Sequence, residues 1–296
     1  MLNLPALTGR DNPRIRAVVQ LRRHRDRRRT GLFIAQGMRQ IERAVEAGLG
    51  LHSGFVSLEV AAGGFGHILA ALSTWRGRHA AGRWFSVPAA LMARMSYGQR
   101  AEPVLAVFWQ PGWQLDQDSG RAVSTDRQDP ALPQRASWET PLWLVAVGTT
   151  KPGNLGAMAR SAEAAGAWGL LAADSVVDPF NPNAICASTG AVFRLPVVER
   201  SSADALEFLV GQQVRIVAAT PRAATFYTKI DLTMPLALVV GAEDRGLAAP
   251  WIGPSSRTDP SLEPVAIPMR SGAVDSLNAA AVAAVLLFEA VRQRSE

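Results

Sequence analysis

Residues 141–160 read PLWLVAVGTTKPGNLGAMAR, and the fold class can be inferred from them. The run Leu142–Val147 is apolar at every position, which is typical of a strand that is buried on both faces of a sheet. A loop that contains proline and glycine follows, and the pattern of Gly156–Ala165 is then helical. The stretch therefore predicts a strand, a loop and a helix in succession.

Strands and helices continue to alternate after this unit. The predicted strands Val214–Ala219 and Leu236–Val240 alternate with the helical segments Ala203–Gln212 and Ser276–Arg292. Because such alternation is typical of parallel strands joined by crossover helices, we expect a mostly parallel sheet covered on both faces. The sequence thus predicts an α/β domain over residues 141–296.

The N-terminal third predicts a second, smaller α/β domain that ends near residue 110. Its predicted strands are Leu32–Ala35, Phe55–Leu58, Trp84–Val87 and Val104–Trp109, and its predicted helices are Met38–Val45, Ile68–Leu72 and Ala89–Met95. Residues 111–140 are rich in proline, glycine and aspartate, which interrupt every periodic pattern and indicate a linker. We therefore expect domains at 1–110 and 141–296, with a linker at 111–140.

Positive charge is concentrated in the first third of the chain. Residues 1–100 carry 16 arginines, no lysine and 5 acidic residues, whereas the whole chain has a net charge of +6. Six arginines crowd eight positions, namely Arg22, Arg23, Arg25, Arg27, Arg28 and Arg29. This density predicts contacts with nucleic-acid phosphates, and the alternative is a solvated helix face.

Missing motifs disfavour several classes of protein. The chain has no phosphate-loop motif, no dinucleotide fingerprint after a strand and no hydrolase nucleophile elbow. Cys186 is the only cysteine, and no Cys/His cluster has zinc-ligand spacing, so we expect neither a disulfide nor a metal site. Since no apolar run could span a bilayer or act as a signal peptide, we expect a cytoplasmic protein that does not enter membranes.

Three loops of the C-terminal domain are candidates for chemistry. They are Lys151–Arg160, Val240–Leu247, and the pair Ile267–Met269 and Ser276–Asn278. Parallel sheets bind ligands beyond the carboxyl ends of their strands, where these loops are expected. If Asn154 caps the helix, Arg160 lies between one and two turns inside it. Each loop taken alone has an ordinary structural explanation as a helix cap or a turn.

Taken together, the three loops resemble the signature motifs of the SpoU (TrmH-like) branch of the SPOUT RNA methyltransferases. The matching residues are Asn154, Gly156, Arg160, Gly241, Glu243, Gly246, Leu247, Ile267, Pro268, Met269, Ser276, Leu277 and Asn278. The resemblance covers residues 141–296. The basic N-terminal region, with Asn12-Pro13, Leu32-Phe33-Ile34 and Gly37, more loosely resembles a ribosomal-protein-like RNA-binding domain.

The resemblance implies a fold, a cofactor and a partner. It implies a trefoil knot near the C-terminus, a homodimer whose interface includes the C-terminal helix, and S-adenosylmethionine as cofactor. The residues implied to bind this cofactor are Thr220, Gly241, Ile267, Met269 and Leu277. The implied reaction is methylation of a ribose 2′-hydroxyl in structured RNA, with 23S ribosomal RNA expected and transfer RNA as the alternative.

The resemblance also implies roles at the reaction centre. Arg160 is the main catalytic candidate, and since guanidinium stays protonated at any working pH, we interpret it as a fixed cation and not as a base. Asn154, Ser276 and Asn278 are expected to orient the substrate or Arg160, and Glu243 to anchor its loop. Two other functions stay open, a noncatalytic RNA-binding or ribosome-assembly factor and a methyltransferase that acts on a base or a protein.

Overall fold

The computed structural model describes residues 4–61, 70, 84–98, 101–124, 137–252, 262–270 and 276–296. The chain divides into two compact units. The first is drawn mainly from Met1–Pro111, and the second from Gly112–Thr125, Gln134–Pro179 and Asn183–Glu296. Within the described ranges, no helix is long and apolar enough to cross a membrane.

The first unit contains a mixed four-stranded sheet. Its elements are α1 (Pro13–Gln20), α2 (His24–Thr30), β1 (Leu32–Gln36), α3 (Met38–Glu46), β2 (Leu51–Val56), β3 (Trp84–Ser86), α4 (Ala89–Met95) and β4 (Val104–Trp109). The strand order is β1-β4-β2-β3. Strand β4 is antiparallel to both of its neighbours, whereas β2 and β3 are parallel.

Local sequence explains the ends of the first helices. Helix α1 begins after Asn12, whose Oδ1 accepts a hydrogen bond from the Arg14 amide at 2.9 Å, and Pro13 occupies the first helical position. Helix α2 ends at Gly31, which adopts a left-handed conformation with φ of 66°. The buried face of α1, including Ile15 and Val18, packs into the core beside the sheet.

The sequence predicted most of these elements, with one shift. Strand β2 covers Leu51–Val56, whereas the apolar pattern predicted Phe55–Leu58. The main-chain ladder with β4 explains the earlier start, because it continues through Ser53 despite that residue's polarity. The predicted helix Ile68–Leu72 lies outside the described residues apart from Ala70.

A β-hairpin stands within the stretch 111–140 that the sequence assigned to a linker. Strands β5 (Trp113–Asp116) and β6 (Arg121–Ser124) pair antiparallel. The polar residues between them form the turn, in which the Asp116 carboxylate accepts hydrogen bonds from the Asp118 amide at 3.2 Å and the Ser119 hydroxyl at 2.6 Å. Residues 125–136 lie outside the described ranges.

The second unit is built on a six-stranded sheet in which every pair is parallel. Its elements are β7 (Leu142–Val147), α5 (Pro152–Ala164), β8 (Gly169–Ala173), α6 (Pro182–Ser188), β9 (Val197–Arg200), α7 (Ser202–Gly211), β10 (Arg215–Ala219), β11 (Leu236–Val240), β12 (Leu262–Val265) and α8 (Ala279–Arg294), with 3₁₀ turns at Ala191–Phe193 and Tyr227–Lys229. The prediction of an α/β fold with a mostly parallel sheet is confirmed.

Strand order brings three loops of the second unit together. The order β12-β10-β11-β7-β8-β9 makes β12, β10 and β11 neighbours at one side of the sheet. Since parallel strands end at the same edge, the segments that follow Ala219, Val240 and Val265 lie beside one another. This edge is where a ligand is expected.

Helix α8 is fixed at its far end by one arginine. The Arg294 guanidinium donates hydrogen bonds to the backbone carbonyls of Thr140, Pro141, Leu232 and Met234 at 2.8–3.0 Å. These carbonyls precede β7 and β11 in the chain. The helix, which also packs against α5 and β11, is therefore held in place along its length.

Candidate functional site

A cavity opens at the carboxyl edge of the second unit's sheet. It encloses about 750 Å³ of space, part of it open to solvent. The loops after β10, β11 and β12 line it, together with the first turn of α8. Most of the lining side chains are apolar, among them Val240, Val265, Leu277 and Val282.

The loop after β11 folds back on itself because it contains two glycines. A Cβ on Gly241 would lie 2.3 Å from the Gly246 carbonyl oxygen, a distance that real side chains do not show. Gly246 has φ of 64°, and its amide donates to the Ala242 carbonyl at 2.8 Å. The loop can therefore present its backbone closely to a ligand.

Backbone pairing also holds the other two loops together. The Thr220 amide donates to the Val265 carbonyl at 2.9 Å, and the Ala266 amide donates to the Thr225 carbonyl at 2.9 Å. The Tyr227 amide donates to the Ala266 carbonyl at 3.1 Å. The segment that leads to Ile267 is thus set against the segment that follows β10.

A polar network around Glu243 forms the rim of the cavity. The side-chain amide of Asn154 donates to the Glu243 carboxylate at 3.1 Å. The side-chain amide of Asn278 donates both to that carboxylate and to Oδ1 of Asn154. Lys151 forms an ion pair with Glu243. Asn278 also caps α8, because its Oδ1 accepts from the Ala280 amide at 2.9 Å. One carboxylate thus joins three separate loops.

The network keeps Glu243 and Lys151 charged. The hydrogen bond from Lys151, followed by the one from Asn154, lowers the pKa of Glu243 from its ordinary value. The same hydrogen bond raises the pKa of Lys151. Since each shift favours the ionised form of its group, the pair is a carboxylate and an ammonium at neutral pH.

The structure gathers most of the residues suggested by the sequence. All five candidates for cofactor binding line the cavity, as do Glu243 and Ser276. Asn154 and Asn278 meet at Glu243. The expectation that Asn154 caps α5 is wrong, because the helix begins earlier, at Pro152 after Lys151, and the Asn154 side chain is turned toward Glu243.

Arg160 is the exception. It lies eight residues beyond the start of α5, with its side chain exposed. It does not line the cavity, nor the smaller polar cavity beside it that Lys151, Asn154 and Glu243 share. Within the described part of one chain, the main catalytic candidate is therefore separate from the cavity.

The arginines of the first unit fall into two groups. Arg27 is 1% exposed, and its guanidinium donates to the carbonyls of Leu21 at 2.8 Å and Arg22 at 2.9 Å. Arg22 donates to the Arg94 carbonyl, and Arg29 pairs with Asp26 at 3.2 Å. The side chains in this cluster that are exposed and have no hydrogen bond or ion pair to any described residue are Arg23, Arg25 and Arg28. Burial of Arg27 among carbonyls indicates a structural role. The crowding of arginines in the sequence could not distinguish this buried residue from its exposed neighbours.

Lys151 was not among the predicted site residues. It was visible in the sequence as the residue before Pro152 at the start of the loop. Its contact with Glu243 joins positions 92 residues apart, so no local pattern indicated it. Among the described residues, no group of three His, Cys, Asp or Glu side chains could hold a metal ion.

The residues at the cavity fit S-adenosylmethionine. Its flat adenine suits the apolar walls formed by Val240, Val265 and Leu277. Its polar parts would find backbone groups at Gly241 and Ile267. The folded-back glycine loop leaves room that a side chain on Gly241 would disturb.

Fold and cavity first define a class: an α/β protein with a ligand site at the carboxyl edge of a parallel sheet. Comparison with known proteins then identifies the family. The family model described as the SpoU rRNA Methylase family matches residues 141–288, and the one described as the MRM3-like substrate binding domain matches residues 12–106. The first model covers half of the chain, and the chain belongs to the SpoU rRNA methylase family. The resemblance inferred from the three loops is confirmed.

Relatives extend the comparison. A 23S rRNA (uridine(2479)-2′-O)-methyltransferase of Streptomyces viridochromogenes is 36% identical over 151 residues, 49% of this chain and 50% of that protein, so the chain spans about half of this relative. A crystal structure of an RNA 2′-O ribose methyltransferase is 32% identical, with a TM-score of 0.74 and coverage of 98% of this chain and 100% of that one. The SpoU methyltransferase AviRb of S. viridochromogenes, in complex with the cofactor AdoMet, is 27% identical, with a TM-score of 0.74 and coverage of 96% and 99%.

Proposed function

We propose that this protein transfers a methyl group from S-adenosylmethionine to a ribose 2′-hydroxyl of 23S ribosomal RNA in the cytoplasm. The observation that carries the proposal is the cavity at the carboxyl edge, which all five predicted cofactor residues line in a chain of the SpoU family. The names of the relatives support ribosomal RNA as the substrate. Transfer RNA is the second candidate.

The cavity would bind the cofactor, and the polar network around Glu243 would keep the surrounding loops rigid. Bound S-adenosylmethionine would bring an electrophilic methyl group. Thr220, Gly241, Ile267, Met269 and Leu277 would hold the cofactor, mainly through backbone groups and apolar packing. Glu243 is not proposed as a base, because its hydrogen bonds keep its pKa low and occupy its oxygens. It would instead keep the three loops in one arrangement.

The attacking oxygen must lose its proton while it is held in line with the methyl group. We assign Arg160 the role of a fixed cation that binds the neighbouring phosphate and favours negative charge on the 2′-oxygen. Water or a phosphate oxygen would accept the proton, because guanidinium cannot. Asn154, Ser276 and Asn278 would orient the nucleotide or this arginine.

We propose that two chains share each site. Arg160 lies apart from the cavity in its own chain, so a partner chain would supply it. Helix α8 supports a dimer, because it has an apolar face that its own chain does not cover. On this face Ala281 and Phe288 are exposed, and Ala284 and Val285 are only half-buried. The other side of the helix, with Ala283 and Leu287, is buried. The family resemblance further suggests that the loops around β11, β12 and α8 form a trefoil knot, and that residues 12–106 bind the RNA.

Isothermal titration calorimetry tests the cofactor, and nucleotide mapping tests the substrate. We expect saturable binding of S-adenosylmethionine and none of NADH. A strain without the gene should lose one 2′-O-methyl group in 23S ribosomal RNA, located by nuclease digestion. Cofactor binding without any lost methyl group would favour a noncatalytic factor, and loss of a base methyl group would favour a different acceptor.

A mixed dimer tests the shared site. Arg160→Ala should abolish turnover while leaving cofactor affinity nearly unchanged, and Asn278→Ala should damage the cavity rim of its own chain. A heterodimer of these two inactive variants would contain one intact site and should recover about half of wild-type activity, if the sites act independently. An inactive purified heterodimer would contradict sharing and place the whole site within one chain.

A further inference from the structure

A second cavity lies in the first unit, whereas the candidate cofactor site belongs to the second. It encloses about 1090 Å³ of space, part of it open to solvent, between helices α1 and α2 and the sheet. Its lining includes Arg14, Val18, Arg29, His52, Phe85 and Val107. Its floor is apolar, because Val18 and Val107 are buried, and its rim carries two arginines. Nothing in the proposed reaction uses this cavity.

One wall of the cavity presents a supported guanidinium. The Arg14 guanidinium carbon lies 5.2 Å from the centre of the Phe85 ring, a distance at which the cation and the ring attract each other. Phe85 is itself held by the core, since its ring lies 5.8 Å from that of Phe55. The planar group of Arg14 is thus supported on one side while its side chain stays exposed.

Arg29 is a second cation in the lining of the cavity. It is 64% exposed along its side chain and pairs with Asp26, whose side chain is only 9% exposed. Asp26 also lines the cavity, so Arg29 stands there beside a carboxylate that is largely buried. The exposed part of the Arg29 guanidinium offers N–H donors and positive charge, which suit a phosphate.

We propose that this cavity binds one unpaired nucleotide of the RNA substrate, with its base stacked on Arg14 and its phosphate on Arg29. Unpaired bases in RNA complexes stack on arginine planes and aromatic rings, and the apolar floor suits the base once it leaves solvent. The inference rests on the proposed function for the RNA partner, but it does not require methyl transfer.

Short RNAs that differ by one base test the proposal. The probes are two fluorescein-labelled RNA hexamers, one abasic at every position and one that carries adenine at the third position. Both have the same phosphates, so their affinities for the full chain differ only through the base. Fluorescence anisotropy should show that the adenine increases affinity on the order of tenfold.

Arg14→Lys removes the planar guanidinium group and keeps the positive charge. This variant should lose the gain from adenine while binding the abasic hexamer within about twofold of wild type. Arg16→Lys is the matched control, because Arg16 is exposed on the same helix but does not line the cavity, and it should keep the gain. Phe85→Leu, which removes the support of Arg14, should reduce the gain as well.

Each outcome is decisive. Equal affinity of wild type for the two hexamers, or no binding of either, overturns the proposal. An unchanged gain in Arg14→Lys also overturns it. Cofactor titration of Arg14→Lys should match wild type, because the two cavities lie in different units. A chain that shows the base-dependent gain but no methyl transfer would refute the proposed function and leave this inference standing.

Discussion

Gly156→Ala should destabilise the second unit, whereas Gly153→Ala on the same helix should not. A Cβ on Gly156 would lie 2.3 Å from the Ala184 carbonyl oxygen and 2.9 Å from the Ser188 amide nitrogen, both in α6. A Cβ on Gly153 would meet no atom within 4 Å. The two substitutions are therefore chemically identical, but only one of them creates a clash.

The size of the effect follows from these distances. An ordinary contact begins near 3.4 Å, so α6 must move by about 1 Å to admit the new methyl group. Overpacking of this kind costs about 1–3 kcal/mol. Alanine is better than glycine in helices by up to ~1 kcal/mol, but both variants share this gain. Gly156→Ala should thus be about 1–3 kcal/mol less stable than Gly153→Ala.

Thermal unfolding followed by circular dichroism and by fluorescence measures this difference. For a domain of this size, the Tm of Gly156→Ala should be about 2–12 °C below that of Gly153→Ala. The clash also strains α5, which carries both Gly156 and Asn154. Since a misplacement of ~1 Å at a site can reduce turnover about 100-fold, activity should fall further than stability. Equal Tm values for the two variants would show that α6 moves without cost, and would refute the argument.

Two further predictions concern charged residues. The triple variant Arg23→Ala, Arg25→Ala and Arg28→Ala removes three exposed cations and should flatten the salt dependence of RNA binding by just under one unit of slope for each phosphate that is no longer neutralised. An unchanged salt slope would reject the phosphate assignment. Arg27→Ala should instead lower Tm, because it removes hydrogen bonds to the carbonyls of Leu21 and Arg22. The pKa of Glu243 is lowered by its hydrogen bond with Lys151, so the folded state gains stability from this carboxylate above its ordinary pKa of about 4.5 and loses it as the pH falls through the lower folded value. Glu243→Gln should therefore flatten the loss of stability in acid, as measured by denaturant titration at several pH values, and an identical pH dependence in both proteins would contradict the network.

The fold was predictable where a segment's own composition determines its burial. Leu142–Val147 is apolar throughout, and the structure buries this strand from Leu142 to Ala146 at the centre of the sheet. Strand β2 was misplaced because pairing with β4, and not hydrophobicity, sets where it begins. The hairpin of Trp113–Asp116 and Arg121–Ser124 was missed because its turn contains the same residues as a linker.

The site was predictable as a set of loops and not as a set of contacts. Resemblance to a family identified Asn154, Glu243 and Asn278, but these residues are separated by 89 and 35 positions, and chain spacing alone cannot show that they touch. The burial of Arg27 likewise depends on carbonyls that tertiary structure brings to it. The local sequence pattern indicates which chemical groups a residue has, whereas the fold determines which other residues those groups contact.

The strand order of the second unit has a consequence for biosynthesis. The first unit has its last strand once Trp109 has left the ribosome, but the central strand β7 must wait for β11, which ends at Val240. At about 5–20 residues per second, translation of the intervening ~130 residues takes about 7–26 s. During that interval the basic first unit can fold while the chain is still tethered to the ribosome. In the later part of it, while residues 148–240 are translated, β7 remains an unpaired apolar strand on its β11 side. A nascent-chain stall before Val240 should therefore yield a folded N-terminal unit attached to a protease-sensitive remainder.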